Sequence, residues 1–246
     1  KMITASNANA ASTATIVLTT CGGEVWVLSS NSTVRGNGAT GAETSWAQVL
    51  TAVGSPLTGI VAARIHGNTV IALKNDNTLW TWGLATYLGN NTAVANRSYA
   101  TQMNHPNSSK TIKMIGISGI TSGNKAYYVL MTDGNLYSVG ANTSKQLGDW
   151  STTERTSWVQ PRYTSTTGPV MDNIQWISPQ ENDATYPGMN AITTSGQLYA
   201  WGDNNLTMLG ITGGPVNPTM PAGLLVSDKI LAVKAGGHTS MVVKEG

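Results

Sequence analysis

Apolar and β-branched residues recur along this chain in short alternating runs, each broken by a small polar turn and followed by an aromatic pair. Four stretches carry the pattern: TIVLTTCGGEVW, TVIALKNDNTLW, AYYVLMTDGNLY and MNAITTSGQLYAW. Alternation with a period of two places successive side chains on opposite faces of a strand. Thr132-Asp133-Gly134 and Thr194-Ser195-Gly196 supply residues that tolerate the positive φ of tight hairpin turns. Each stretch therefore predicts a β-hairpin. Further strands are predicted in GIVAARI, TIKMIGIS, NIQWISP and KILAVKA, and in TSWAQV and TSWVQP, which are nearly identical. No segment shows helical periodicity.

The hairpins repeat. Taking Val25, Leu79, Leu136 and Leu198 as markers, the intervals are 54, 57 and 62 residues. Four strands per repeat make one antiparallel sheet that cannot bury both faces alone. In GNLYSVGANTSKQLG, Leu136 and Tyr137 point to opposite faces, so both are buried only if a neighbouring sheet lies on each side. Sheets stacked radially make a β-propeller. The expected fold is all-β, a single propeller domain over 1–246. Its repeats lie near 1–57, 58–110, 111–171 and 172–227, with the start of a fifth at 228–246.

GNLYSVGANTSKQLG and GQLYAWGDNNLTMLG resemble the repeat of the regulator of chromosome condensation family, a Gly-x-Leu-Tyr-x-Trp-Gly-x-Asn core ending in Gln-Leu-Gly. KAGGHTSMVV at 234–243 is similar to that family's strand with a Gly-Gly-x-His-Ser/Thr signature. The likeness spans the chain and is degenerate in the first repeat, where EVWVLSSNS lacks the glycine. It implies a propeller of about seven blades, of which this chain holds four complete ones plus the start of a fifth. Both ends read as cut, so further blades, a leader or an anchor are expected outside these residues.

Composition narrows the partners. Charged residues are 11% of the chain, against about 25% in ordinary soluble domains, so solubility rests on Thr, Ser, Asn and Gly. That suits a secreted or cell-surface protein. The formal charge is +2 and no Lys or Arg lies between Arg162 and Lys229, whereas a nucleic-acid footprint needs clustered basic residues. No apolar run approaches the ~20 residues of a membrane-spanning helix, and Cys21 is the only cysteine.

Candidate chemistry is sparse. GNGATG at 36–41 fits a dinucleotide fingerprint, but it follows a hairpin and leads into a strand rather than a helix. It reads as a flexible inter-strand loop. His66, His105 and His238 have no second His or Cys at metal-ligand spacing. His105 reads as a solvated loop residue. His238 matches a family position, which implies a hydrogen bond within the blade. Asp133 and Asp203 read as turn caps. No catalytic residue, metal or cofactor is assigned, and the protein is read as not an enzyme. Trp26, Trp80, Trp82 and Trp201 fall in the repeat core, and Trp46 and Trp158 are equivalent structural positions. Trp150, in LGDWSTTE, is the aromatic expected to be exposed.

One asymmetry points to function. From first-strand isoleucine to marker the interval is 19 residues in the second repeat (Ile60 to Leu79) but 24 in the third and fourth (Ile112 to Leu136, Ile174 to Leu198). The extra length lies between first and second strands, in SNANAASTA, GITSGNK and PQENDATYPG. These loops emerge on one face and are expected to form a binding rim. The candidate residues are Ser6, Asn7, Ala8 and Asn9 in the first loop, Thr121, Asn124 and Lys125 in the second, and Gln180, Glu181, Asn182, Asp183 and Tyr186 in the third. The reading is a non-catalytic scaffold, extracellular or on a cell surface, that engages protein or glycan. The alternatives are an intracellular regulator similar to the family's namesake, a guanine-nucleotide exchange factor that docks on a small GTPase and chromatin, and a structural subunit of a large surface assembly. No residue here matches the wedge such exchange needs.

Overall fold

The computed structural model describes residues 2–6, 14–41, 45–120, 123–181, 185–207, 209–236 and 238–246. Among them there is no helix. The first blade comprises β1 (Met2–Ser6), β2 (Thr15–Thr19), β3 (Val25–Leu28) and β4 (Ala47–Gln48), followed by a small hairpin of β5 (Leu50–Ala52) and β6 (Ser55–Pro56). The second blade is β7 (Ile60–His66), β8 (Thr69–Lys74), β9 (Leu79–Thr86) and β10 (Ala95–Gln102). The third is β11 (Ile112–Gly119), β12 (Lys125–Met131), β13 (Leu136–Gly140) and β14 (Arg155–Val159). The fourth is β15 (Ile174–Pro179), β16 (Gly188–Thr193), β17 (Leu198–Gly202) and β18 (Val216–Thr219), and a hairpin of β19 (Ile230–Gly236) and β20 (Thr239–Lys244) follows.

Each four-stranded sheet is an antiparallel meander in sequence order. The first strands β1, β7, β11, β15 and β19 adjoin one another in turn, so the sheets fan out around one axis as the blades of a β-propeller. In the second, third and fourth blades the second strands are the most deeply enclosed. Every residue of β12, KAYYVLM, is buried, because a blade lies against each face. The core is accordingly divided into layers between blades. One holds Val70, Trp82 and Val34, the next Ile71, Tyr127 and Val139, and the next Tyr128, Leu147 and Trp201.

The blades are also stapled through the backbone. The N–H of each first-strand isoleucine bonds to the hairpin turn of the blade before it. Ile60 donates to the Gly23 carbonyl at 3.0 Å, Ile174 to Gly134 at 2.9 Å and Ile230 to Gly196 at 2.8 Å. In the second blade Asn77 stands in the glycine's place, at φ 70°. Its side-chain Oδ1 takes the Ile112 N–H at 2.8 Å instead. At Gly134 the backbone runs so close to the next blade that a Cβ would lie 2.7 Å from the Asp172 carbonyl oxygen. The small residue at this turn is thus set by blade packing as well as by hairpin geometry.

Candidate binding face

The loops joining first to second strands and those joining third to fourth strands meet on one face. Ala141 donates its N–H to the Lys125 carbonyl at 2.9 Å, Asp203 to Pro187 at 2.8 Å and Leu84 to Asn68 at 2.8 Å. Each bond ties the start of one loop type to the end of the other. A cleft of about 350 Å³ opens there between the third and fourth blades, walled by Asn124, Asn142, Thr143, Ser144, Glu154 and Pro187.

The cleft has a rigid floor and an acidic lip. Asn142 is fully buried, and its side chain is spent on the loop. Its Nδ2 donates to Asp149 Oδ1 at 2.8 Å and to the Ser151 and Thr153 carbonyls, both at 3.1 Å. Its Oδ1 accepts the Leu147 N–H at 3.0 Å. At the lip, Glu154 Oε2 accepts the Tyr87 hydroxyl at 2.9 Å and the Asn124 amide at 3.0 Å. Burial and then the Glu154 carboxylate push the Tyr87 phenol well above its ordinary pKa, so it stays a donor. Across the cleft the Ser144 hydroxyl donates to Asp203 Oδ2 at 3.1 Å. The exposed Glu154 carboxylate and the polar walls suit donor groups on a partner's surface.

Nearer the axis, Glu181 lies 3.4 Å from the Arg64 guanidinium and shares a small cavity with Trp176 and Lys234. Burial raises the Glu181 carboxyl above its ordinary value, and Arg64 and Lys234 oppose that rise. Gly116 of the third blade has no side chain between these partners from the second and fourth. A Cβ there would meet Pro179 at 2.7 Å.

The rim residues expected from sequence divide sharply. Asn7, Ala8, Asn9, Thr121, Asn182 and Asp183 lie outside the described residues. Ser6 ends β1. Asn124 lines the cleft, and Glu181 and Tyr186 are partly accessible on the same face, with the Tyr186 ring edge-on to His238 at 5.4 Å. Lys125 and Gln180 are not displayed. Lys125 is 2% exposed and Gln180 is fully buried, because each sits where the loop re-enters a blade. The Lys125 ammonium donates to the Ile120 and Gly123 carbonyls, which makes it a clamp on its own loop.

Trp150 departs from expectation too. It is half-buried at φ 64°, and its Nε1 donates to the Arg162 carbonyl at 2.9 Å, so it braces the outer edge of the third blade. His105 is not a freely solvated residue. Its Nδ1 accepts the Asn107 N–H at 3.1 Å, its Nε2 lies 3.1 Å from the Asn77 amide, and burial lowers its pKa. The GNGATG loop is packed in place, with Gly36 against Trp82 and Gly38 against Tyr99. Glu154, Tyr87 and Trp176 carried no motif that would have singled them out. Among the described residues no three His, Cys, Asp or Glu side chains converge as metal ligands.

No protein-family model matches the chain. Among solved structures, Prp20p from Saccharomyces cerevisiae superposes with a TM-score of 0.66 at 18% identity, over 94% of this chain and 54% of that one. Yeast RCC1 (Prp20) in its complex with Kap60 gives 0.65 at 17%, over 94% and 52%. Human WBSCR16 gives 0.63 at 16%, over 94% and 56%. The fold is that of an RCC1-like β-propeller. The chain spans about half the length of these RCC1-like structures. At such identities the likeness is one of architecture, and it carries no residue of their sites across.

Proposed function

We propose that this protein is a non-catalytic scaffold that binds a protein partner through the face bearing the first-to-second and third-to-fourth strand loops. One observation carries the reading. On that face a pre-formed cleft of about 350 Å³ is walled by loops of two blades, and its exposed carboxylate, Glu154, is held by Tyr87 and Asn124. Polar groups fixed on a rigid support bind with little ordering cost. The test is a pull-down with the wild-type protein and with Thr143→Tyr and Glu154→Arg, which fill the cleft and reverse its charge. Thr143→Tyr should melt like the wild type. Glu154→Arg should stay folded with a loss of about 1–3 kcal/mol, because the buried Tyr87 hydroxyl gives up its acceptor. Both should lose the captured partner. A partner retained by both would refute the reading.

Two placements compete for such a scaffold. The RCC1-like fold supports an exchange-factor-like regulator acting inside the cell, since Prp20p is a protein described by its binding to Gsp1p and histones. The low charge and the Thr, Ser and Asn richness are what support a surface or secreted scaffold that engages protein or glycan. The fold likeness weighs more, because composition drifts more easily than architecture. Accelerated release of a fluorescent nucleotide from any member of a small-GTPase panel would favour the regulator, and no acceleration across the panel would remove it.

A further inference from the structure

A second recognition site lies on the outer edge of the third blade. There β14 bulges. Arg155 stands opposite Gly140 and Val159 opposite Ser138, so four steps along β14 span two along β13. A bulge re-aims side chains. This one adjoins a cavity of about 350 Å³ walled by Tyr137, Arg155, Trp158, Val159, Gln160 and Arg162. That size is within the range of small-molecule sites, roughly 300–1,000 Å³.

Both cations of this cavity are held in place. Arg155 directs Nε and Nη2 to Asp149 Oδ2 at 2.8 and 2.7 Å. Arg162 Nη1 donates to the Gly168 carbonyl, and the Arg162 carbonyl takes the Trp150 indole N–H at 2.9 Å. Asp149 also reaches the wall, but its oxygens are spent. Its Oδ1 takes the Asn142 amide and the Ser151 hydroxyl, both at 2.8 Å. Two guanidiniums against one paired carboxylate leave a net positive charge. Arg155 Nη1 and Arg162 Nη2 have no hydrogen-bond partner among the described residues. Nor does blade packing require Arg162. Its N–H bonds to the Gly148 carbonyl at 2.9 Å, and in the first and fourth blades Leu50 and Ala222 make that bond to Gly36 and Gly210.

The remaining wall is aromatic. Trp158 covers Gly89, where a Cβ would strike the indole, and its Nε1 donates to the Asn104 carbonyl at 2.9 Å. Tyr137 packs in the same apolar layer. Its hydroxyl has no hydrogen-bond partner among the described residues, and Gln160 spends only Nε2, on Asn135 at 2.9 Å. We propose that this cavity binds a sugar residue that bears a carboxylate. The carboxylate seats on the Arg155 and Arg162 guanidiniums, whose planar forks match it. The sugar ring lies against the Trp158 indole, and the Tyr137 hydroxyl and Gln160 carbonyl serve the ring hydroxyls. A bare phosphate would leave the aromatic wall unused, and an acidic peptide side chain would leave those last two groups without partners. Held guanidiniums and a held indole bind with little ordering cost.

The probes are methyl β-D-glucuronide and the uncharged methyl β-D-glucoside, titrated into the isotope-labelled 246-residue protein and followed by NMR at the Trp158 indole N–H. Saturable binding of the glucuronide is expected. The glucoside should bind at least roughly 10-fold more weakly, the worth of hydrogen bonds to a charged group. Arg162→Ala, which installs the fourth blade's residue, should stay folded and cause a comparable loss. If that variant fails to melt cooperatively, Arg162→Leu, the first blade's residue, takes its place. Equal binding of the two glycosides, binding of neither, or glucuronide binding unchanged by the substitution overturns the proposal. Inorganic phosphate or N-acetylglutamate bound as tightly as the glucuronide would overturn it in favour of a bare oxyanion site.

Discussion

Trp201 donates its indole N–H across a blade boundary to the Gln146 carbonyl, and that same oxygen accepts the Tyr128 hydroxyl at 2.8 Å. The two consequences of removing the ring are therefore separable. In Trp201→Phe the carbonyl keeps its tyrosine donor, so the change loses one net hydrogen bond, about 1 kcal/mol. Trp201→Ala empties a fully buried site and should cost about 3–5 kcal/mol. Urea titrations of the two variants check this. Equal losses would mean that the hydrogen bond, not the packing, holds the blades.

Gly134 tests the turn that staples the third and fourth blades. Its φ is 91°, its carbonyl receives the Ile174 N–H, and a Cβ would crowd the Asp172 carbonyl at 2.7 Å. Gly134→Ala should cost about 2–3 kcal/mol, the strain of a non-glycine residue at positive φ plus a backbone displacement. Gly54 has a similar φ of 70° with nothing near its Cβ position. Gly54→Ala should then cost only the conformational part, about 1 kcal/mol. Thermal melts of the pair separate strain from contact.

These two sites also show how far the sequence was legible. The turn glycine, the alternating leucine and the aromatic pair are local patterns, and they predict hairpins and their stacking because both faces of each strand are apolar. The rim residues were less legible because loop position does not determine exposure. Lys125 and Gln180 belong to long polar loops, yet they mark the points where those loops re-enter a blade. Glu154 and Tyr87 come from different repeats and meet only through blade stacking, so no spacing in the chain announces them. Trp150 was expected at the surface because its surroundings are polar. The positive φ that turns it inward is not encoded in composition.

Asp149 gives the acid side of stability its sharpest handle. Burial disfavours its charge, but hydrogen bonds from Ser151, Arg155 and Asn142 outweigh that, and its pKa lies below the ordinary 3.8. A carboxyl depressed on folding contributes stability that is present above its unfolded value and lost as pH falls through the folded one. Asp149 also holds Arg155 at 2.7 Å. Asp149→Asn should cost about 1.5–3 kcal/mol at neutral pH, as for a hydrogen bond to a charged group. The variant should also show a flatter loss of stability below pH 3.8 than the wild type. Parallel acid titrations for the two proteins would exclude this role.

The alkaline side should show a rise followed by a fall. Burial pushes the Lys125 ammonium down to about 8 from the ordinary 10.5, so between those values the unfolded chain holds the extra proton and stability increases with pH. Tyr87, Tyr127 and Tyr128 are shifted upward from 10.0, first by burial. Their contribution is whole below pH 10.0 and is lost above it, as the unfolded chain ionises first. Melting temperature should therefore climb from about pH 8 to near 10 and then drop. In Lys125→Met the climb should vanish while the drop remains, whatever constant offset the lost carbonyl contacts impose. A wild-type curve that is flat from pH 8 to 10, or a climb that survives the substitution, would mean that the buried ammonium does not titrate with folding.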